Sequence, residues 1–338
     1  MKAIQITEQG KSILIEIPKP ALKNGHVLLK INYVGFCGSD LNTFRGLNPI
    51  VKLPIIPGHE IGATVEEVAE GVPPEIKCGM KATVNPYTSC GKCSACKNGR
   101  HNACVDNETL GVQRNGGMSE YLLVPWEKII VDDCISTRDF ALVEPLSVGF
   151  HAVSRAEVSE LDTVMVVGCG MIGSGAIVAS SLRGATVIAV DVDDEKLDLA
   201  KSLGAQYTIN SMKSDIHEQV LEITKNRGAD VSIEAVGRTE TYTASVSEVA
   251  FTGRVVFIGY AKDKIPFDTQ HFVKKELDVR GSRNAIPVDF RTVIEYLKLR
   301  TCPIDKLISA VYSPEDVQEA LDRWSDEPGK VFRILIKF

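Results

Sequence analysis

Val164-Met165-Val166-Val167-Gly168-Cys169-Gly170-Met171-Ile172-Gly173 runs an apolar β-forming stretch into a G-x-G-x-x-G turn. In such a turn the first glycine permits the tight bend and the second lets the backbone approach a pyrophosphate. The third lets the following helix pack closely on the strand. The helix then presents its first N–H groups, with their partial positive charge, to the phosphates. A glycine turn alone requires no ligand. Here a second apolar run, Val187-Ile188-Ala189-Val190, ends in Asp191, 23 residues beyond Gly168. An acid at that distance hydrogen-bonds the adenosine ribose and repels a 2′-phosphate. No arginine follows it in Val192-Asp193-Asp194, so NAD is expected rather than NADP.

The same rhythm continues outward. The pattern predicts strands over Thr163–Val167, Thr186–Val190, Tyr207–Asn210, Val231–Ala235 and Val255–Ile258. Helices over Gly173–Leu182, Asp194–Leu203, Ile216–Lys225 and Thr241–Ala250 alternate with them, and Asp278–Gly281 adds a last strand. Strand–helix alternation of this kind makes an α/β fold, a Rossmann doubly wound parallel sheet. Ligands bind beyond the carboxyl ends of its strands, which puts Val236, Ile258, Gly259 and Tyr260 in the predicted cofactor groove.

Residues 1–150 have a different texture. Short strands such as Val27–Ile31 and Ala63–Val68 are separated by Pro54, Pro57-Gly58, Pro73-Pro74 and Pro86. The expected organisation is a mainly β domain over 1–150 and a dinucleotide-binding domain over 151–285. A segment over 286–338 would return its last strand, Val331–Lys337, to the first domain. A helix over Val288–Leu299 and another opened by Ser313-Pro314-Glu315-Asp316 precede that strand, with Ser313 as N-cap.

A chain of 338 residues is too long for one ordinary core, which agrees with two domains. The net charge of -6, with basic residues scattered, argues against nucleic acid as partner. No apolar run is long enough to span a bilayer. Met1-Lys2-Ala3-Ile4 leads straight into strand-like sequence without a signal peptide, so a cytoplasmic protein with no membrane partner is expected.

Nine cysteines in such a chain point to metal rather than disulfides. Cys90-x2-Cys93-x2-Cys96-x7-Cys104 can close a thiolate tetrahedron around a structural zinc in a lobe over about 88–106. An iron–sulfur cluster and a role for His101 as ligand are the weaker alternatives. Cys78, Cys134, Cys169 and Cys302 are expected to be free and mostly buried thiols. A second constellation is dispersed: Cys37 in Phe36–Asp40, His59 and Glu60 after Pro57-Gly58, and Glu144 before Pro145. A thiolate, an imidazole and one carboxylate, with a fourth position open, describe a catalytic zinc. Each residue alone has an ordinary structural explanation, and the spacing leaves the third ligand open.

Several segments together resemble the zinc-containing medium-chain dehydrogenases. They are Gly35–Asp40, Pro57–Gly62, the four-cysteine lobe, Gly116–Tyr121 and Glu144–Gly149, in that order along nearly the whole chain. The resemblance implies a GroES-like catalytic domain, two zinc ions per subunit, and a homotetramer or homodimer. Within the family the chain looks like the polyol and threonine dehydrogenase branch, and Glu144 stands where the ethanol-type enzymes have a second cysteine. Gly111–Gly117, Lys274–Glu276 and Gly281–Ala285 are similar to bacterial L-galactonate and L-gulonate 5-dehydrogenases. That likeness implies a sugar-acid substrate, with Arg45 and Arg114 as candidate carboxylate partners and Ser282 and Arg283 as cofactor contacts. A neutral polyol or L-threonine is the alternative substrate, and a zinc-dependent structural or NAD-sensing protein is the alternative class. The implied reaction is oxidation of a secondary alcohol at a zinc held by Cys37, His59 and either Glu60 or Glu144. Ser39 takes the proton, and hydride passes to NAD. Many relatives have a histidine five residues after the zinc cysteine; this chain has Asn42.

Overall fold

The computed structural model describes residues 1–338. The chain divides into two compact units, one made of Met1–Pro145 with Ile286–Phe338 and the other of Leu146–Ala285.

In the first unit the strands are β1 (Lys2–Glu8), β2 (Lys11–Glu16), β3 (His26–Gly35), β4 (Glu60–Val68), β5 (Lys81–Val84), β6 (Tyr121–Pro125) and β7 (Ile129–Val131). The long strand β3 is its spine. It pairs antiparallel with β4 and β6, and β4 passes the sheet on through β5 to β7. Val27, Leu29, Ile31 and Val34 on β3 and Ile61, Ala63 and Val65 on β4 are buried in one apolar core. Four such side chains on β3 and three on β4, the Val, Leu and Ile among them each worth roughly 1.5–3 kcal/mol when fully buried, hold the register firmly.

The second unit carries β8 (Thr163–Val167), β9 (Thr186–Asp191), β10 (Tyr207–Asn210), β11 (Ala229–Glu234), β12 (Val249–Phe257) and β13 (Asp278–Gly281). Their spatial order is β10-β9-β8-β11-β12-β13, all parallel. This is the doubly wound order 3-2-1-4-5-6, whose direction reverses beside β8, so the turns leaving β8 and β11 border the ligand crevice. Val164–Val167 is buried throughout, as a strand covered on both faces should be.

One predicted boundary fails. The helix expected over Thr241–Ala250 runs Thr239–Ser247, and β12 begins at Val249. Val249 pairs with Ala229, but the register then jumps to Arg254 opposite Val231. The intervening bend takes Thr252 to a φ of 58°. The apolar run Val255–Ile258 is only the regular end of an irregular strand.

After residue 285 the helix Pro287–Lys298 leads to β14 (Ala310–Tyr312) and the helix Val317–Asp326, then to β15 (Ile334–Lys337). Ser313 precedes a 3-10 turn over Pro314–Asp316 rather than the α-helix itself, and its hydroxyl bonds the Asp316 carboxylate. β15 pairs parallel with β14 and antiparallel with β3. The closing strand is shorter than Val331–Lys337 because Arg333 turns its side chain into the core, where the guanidinium donates to the Phe36 carbonyl. No helix is long and apolar enough to cross a membrane.

Candidate metal centres and dinucleotide site

The lobe after β5 brings Cys90, Cys93, Cys96 and Cys104 together, with ligand atoms all within 4.8 Å of one another. The Cys93 sulfur lies 3.5 Å from that of Cys96 and 3.8 Å from that of Cys104. A zinc tetrahedron with bonds of about 2.3 Å has edges of about 3.8 Å, whereas a disulfide would be about 2.05 Å. Backbone N–H groups of Cys90 and Cys93 point at sulfurs, at 3.2 and 3.4 Å, and stabilise thiolates there. The donor set fits a closed structural zinc. His101 is exposed in a 3-10 turn and stands outside the group. All nine cysteines are unbridged. Of the four unclustered ones, Cys169 is buried and Cys302 half-buried, but Cys78 and Cys134 are exposed, contrary to expectation. Cys78 sits in the turn before Gly79, where the side chain has no core to enter.

Cys37 caps the short helix Gly38–Phe44, and His59 and Glu60 stand at the start of β4. The pairing of β3 with β4 puts Gly35 opposite Glu60. Two loops at neighbouring strand ends thereby meet, and the Cys37, His59 and Glu60 ligand atoms fall within 4.8 Å of one another. Glu60 is 0% exposed. Arg333 approaches it to 3.1 Å, a charge contact too poorly aligned to be a hydrogen bond. Both Glu60 oxygens and His59 Nδ1 are therefore buried without a hydrogen-bond partner. Unpaired buried donor atoms are costly, and a divalent cation bound among a thiolate, an imidazole and a carboxylate satisfies them.

The protonation states point the same way. Burial would push the Cys37 thiol up, but the hydrogen bond and charge of His59, helped by Arg333, bring it below its ordinary value. Burial would lower His59, yet Cys37 carries it well above the ordinary imidazole value. Glu60 is pushed well above the usual carboxylate range by burial, with Arg333 opposing. The group thus leans on internal charge pairing where a bound cation would reverse the balance.

Glu144 lies in the first turn of the helix Val143–Arg155 and is buried. It stands outside the three-residue group, and its carboxylate accepts a hydrogen bond from the Tyr87 hydroxyl. Its charge still acts on His59 and Glu60. The Ser39 hydroxyl is buried without a partner. The two candidate substrate arginines also bond the chain itself, although Arg114 Nε is buried without a partner. Arg45 donates to the Ser325 hydroxyl at 3.0 Å and to its carbonyl, and Arg114 donates to the Pro86 carbonyl at 3.2 Å.

In the second unit Gly168 has a φ of 93°, and a Cβ on Gly173 would stand 1.8 Å from the Gly168 carbonyl oxygen, so neither tolerates a side chain. A Cβ on Gly170 would meet nothing within 4 Å, which leaves the open cradle a pyrophosphate needs. The helix Met171–Leu182 starts there. Met171 buries its side chain, so what it and Ile172 offer a phosphate is backbone N–H. Asp191 accepts bonds from the Cys169, Val192 and Asp193 N–H groups at 2.7, 2.8 and 3.1 Å. It thereby organises the glycine loop and the end of β9. Val236 and Tyr260 are 43% and 81% exposed, whereas Ile258 is buried. The Gly259 carbonyl is taken by the Tyr242 hydroxyl. Ser282 is buried with an unpartnered hydroxyl, and Arg283 is half-buried just beyond β13.

Tyr87 and Arg333 escaped the sequence reading. Arg333 carried a signal: a lone cation in the apolar run Val331–Ile336. Tyr87 carried none, because its partner is 57 residues away.

Residues 23–132 match the family model described as alcohol dehydrogenase GroES-like domain, and 172–298 match that described as zinc-binding dehydrogenase. The chain is 32% identical to L-galactonate-5-dehydrogenase of Escherichia coli K12, covering 95% of this chain and 94% of that one. It is 30% identical to a sorbitol dehydrogenase of Bacillus subtilis, with 99% and 97% covered. Among solved structures, galactitol-1-phosphate dehydrogenase from Escherichia coli superposes with a TM-score of 0.92 at 28% identity, covering 100% of both chains.

Proposed function

From the premise that this chain belongs to the zinc-type medium-chain alcohol dehydrogenase family, oxidoreductases acting on CH–OH donors with zinc and NAD, we propose that it oxidises a secondary alcohol of a sugar acid. The product on this reading is a 5-keto acid of the L-galactonate or L-gulonate type. What carries the zinc-dependent alcohol oxidation is the buried, hydrogen-bond-deficient group of Cys37, His59 and Glu60, and what supports the sugar-acid substrate is the similarity to L-galactonate-5-dehydrogenase.

Those three residues would hold the catalytic zinc, and Cys90, Cys93, Cys96 and Cys104 the structural one. When bound, zinc supplies Lewis acidity that makes the substrate hydroxyl more acidic, and NAD accepts the hydride. Ser39 has a buried, unpartnered hydroxyl suited to taking the alcohol proton onward. Asn42 cannot accept and release a proton at neutral pH, so it plays no part in that transfer. Glu60, whose carboxylate oxygens are buried without a hydrogen-bond partner, is the second group suited to a proton. Asp191 favours NAD over its 2′-phosphate. The outer edge of β13, with Val279 exposed on it and Val273 exposed on the short helix before it, supports a homodimer or homotetramer, and a cytoplasmic location goes with this reading.

A neutral polyol is the second reading, supported by the engagement of Arg45 and Arg114 with the protein's own carbonyls. The test is an NADH-absorbance screen over L-galactonate, L-gulonate, sorbitol, galactitol and L-threonine with zinc present. The highest kcat/KM is expected on a hexonate. Activity on the polyols and none on the hexonates would overturn the sugar-acid reading.

A further inference from the structure

Tyr87 is held at every group it has. Its N–H donates to Asn85 Oδ1 at 3.1 Å, and its carbonyl accepts from Lys128 Nζ at 2.6 Å. The ring meets Phe290 edge-on, with centroids 6.5 Å apart and planes at 75°. The hydroxyl ends on Glu144. Arg114 clamps the preceding carbonyl, of Pro86, at 3.2 Å. Two partly buried cations are thus used to fix two adjacent backbone carbonyls, and burial lowers the pKa of each. A merely space-filling tyrosine needs no such clamp.

The position of Tyr87 in the chain gives the clamp a purpose. Cys90 follows three residues later, and a β-bridge joins Tyr87 to Thr109 on the far side of the four-cysteine lobe. Leu110 N–H donates to the Pro86 carbonyl at 3.1 Å, and Thr88 N–H to the Glu108 carbonyl at 3.2 Å. Both ends of the lobe therefore close at Tyr87. Its phenol is the one part of that closure that reaches a carboxylate beside Cys37, His59 and Glu60. The charges of Cys37 and Glu60, with that of Glu144, act on the phenol itself.

We infer that Tyr87 is a positioning residue. Its hydroxyl fixes the Glu144 carboxylate at the margin of the Cys37–His59–Glu60 group, and its seat at the base of the lobe ties the catalytic metal's geometry to the folding of the structural one. This rests on the reading of Cys37, His59 and Glu60 as the catalytic zinc holders. Held by the phenol, Glu144 contributes negative charge from a fixed place. Without the phenol, Glu144 would be less constrained and could lean toward the metal's open position, where substrate must enter. Groups one step out from a metal's ligands typically alter affinity or activity by about 10- to 100-fold when removed.

The experiment uses the full-length holoenzyme with cobalt substituted only at the catalytic site and zinc kept at the four-cysteine site, so that the visible d–d absorption reports the catalytic metal's ligand field. Tyr87→Phe keeps the ring and its packing and removes only the hydroxyl. It is expected to shift the d–d band and to lower kcat by about 10- to 100-fold, with a smaller change in KM. If either the band or kcat stays at its wild-type value, the proposal is overturned, whatever happens to thermal stability. Lys128→Met leaves the phenol in place and frees the Tyr87 carbonyl. A smaller shift of the same band is expected, and no shift would overturn the tie to the lobe. Cys37→Ser separates this proposal from its premise: an unchanged band there sinks the metal assignment itself, independently of Tyr87.

Discussion

Replacing Arg333 by methionine should destabilise the protein far more than a surface arginine would. Arg333 and Glu60 have side chains only 5% and 0% exposed, and their charged atoms are 3.1 Å apart. With an effective dielectric of about 20, unit charges at that distance attract by roughly 5 kcal/mol. The substitution also leaves the Phe36 carbonyl without its donor, an additional penalty of about 1–3 kcal/mol. Some relief comes from protonation of Glu60, which burial already favours. Breaking one side of a buried pair costs about 3–5 kcal/mol in general, and Arg333→Met is expected in that range. The assay is urea denaturation at one fixed free zinc concentration, because a metal bound only by the folded chain adds to apparent stability. Glu60→Gln and the double variant complete a thermodynamic cycle. With the carboxylate gone, the arginine should matter less, giving an interaction energy of roughly 2–3 kcal/mol. A loss below about 1 kcal/mol for Arg333→Met, or simple additivity in the double variant, would refute the argument that Glu60 depends on this countercharge.

Cys96→Ser should remove one zinc per chain by elemental analysis while leaving the other, since the sulfur belongs to only one of the two groups; loss of both or of neither contradicts that separation. Asp191→Ala should weaken NADH binding by at least about tenfold in fluorescence titration and narrow the preference over NADPH, because it removes a ribose partner and three N–H acceptor contacts in the glycine loop and strand end. An unchanged cofactor ratio would show that Asp191 serves only the loop. His217 hydrogen-bonds Glu248 at 2.8 Å, and that bond raises its pKa above the ordinary imidazole value. A histidine whose folded pKa exceeds its unfolded one adds stability that is complete below about pH 6.5 and lost as pH rises through the folded value. His217→Gln should therefore flatten the stability profile in that window, and a parallel downward offset at every pH would count against the linkage.

The parallel sheet was legible because its evidence is local. The apolar run Val164–Val167, the glycine turn and Asp191 each declare themselves within a few residues. The four-cysteine lobe was legible for the same reason. Where local pattern and tertiary geometry diverged, the pattern failed: Val249 and Ala250 continue a helical rhythm but are drawn into β12 by pairing with Ala229. The Cys37–His59–Glu60 group was half visible. Motif spacing found Cys37, His59, Glu60 and Glu144, but nothing in it says which carboxylate faces the other two. That choice depends on Gly35 lying opposite Glu60 across two strands and on a tyrosine hydroxyl that engages Glu144. Arg45 and Arg114 show what sequence leaves out. Composition marks them as charges available to a substrate, and only the three-dimensional contacts show them bound to carbonyls of the chain itself.

The place of β15 between β14 and β3 has a consequence for how the protein comes into being. β3 and Glu60 emerge early in synthesis, while Arg333 and β15 emerge some 270 residues after Glu60. Until the ribosome has released that late stretch, Tyr33–Gly35 at the end of β3 lack the β15 partner and Glu60 has no countercharge. A nascent or prematurely stopped chain can complete the parallel sheet of the second unit yet not a competent metal pocket. On the reading of Cys37, His59 and Glu60 as metal holders, metal acquisition there is postponed to the end of translation, and truncated products are left with an unpaired strand end for chaperones and proteases to recognise.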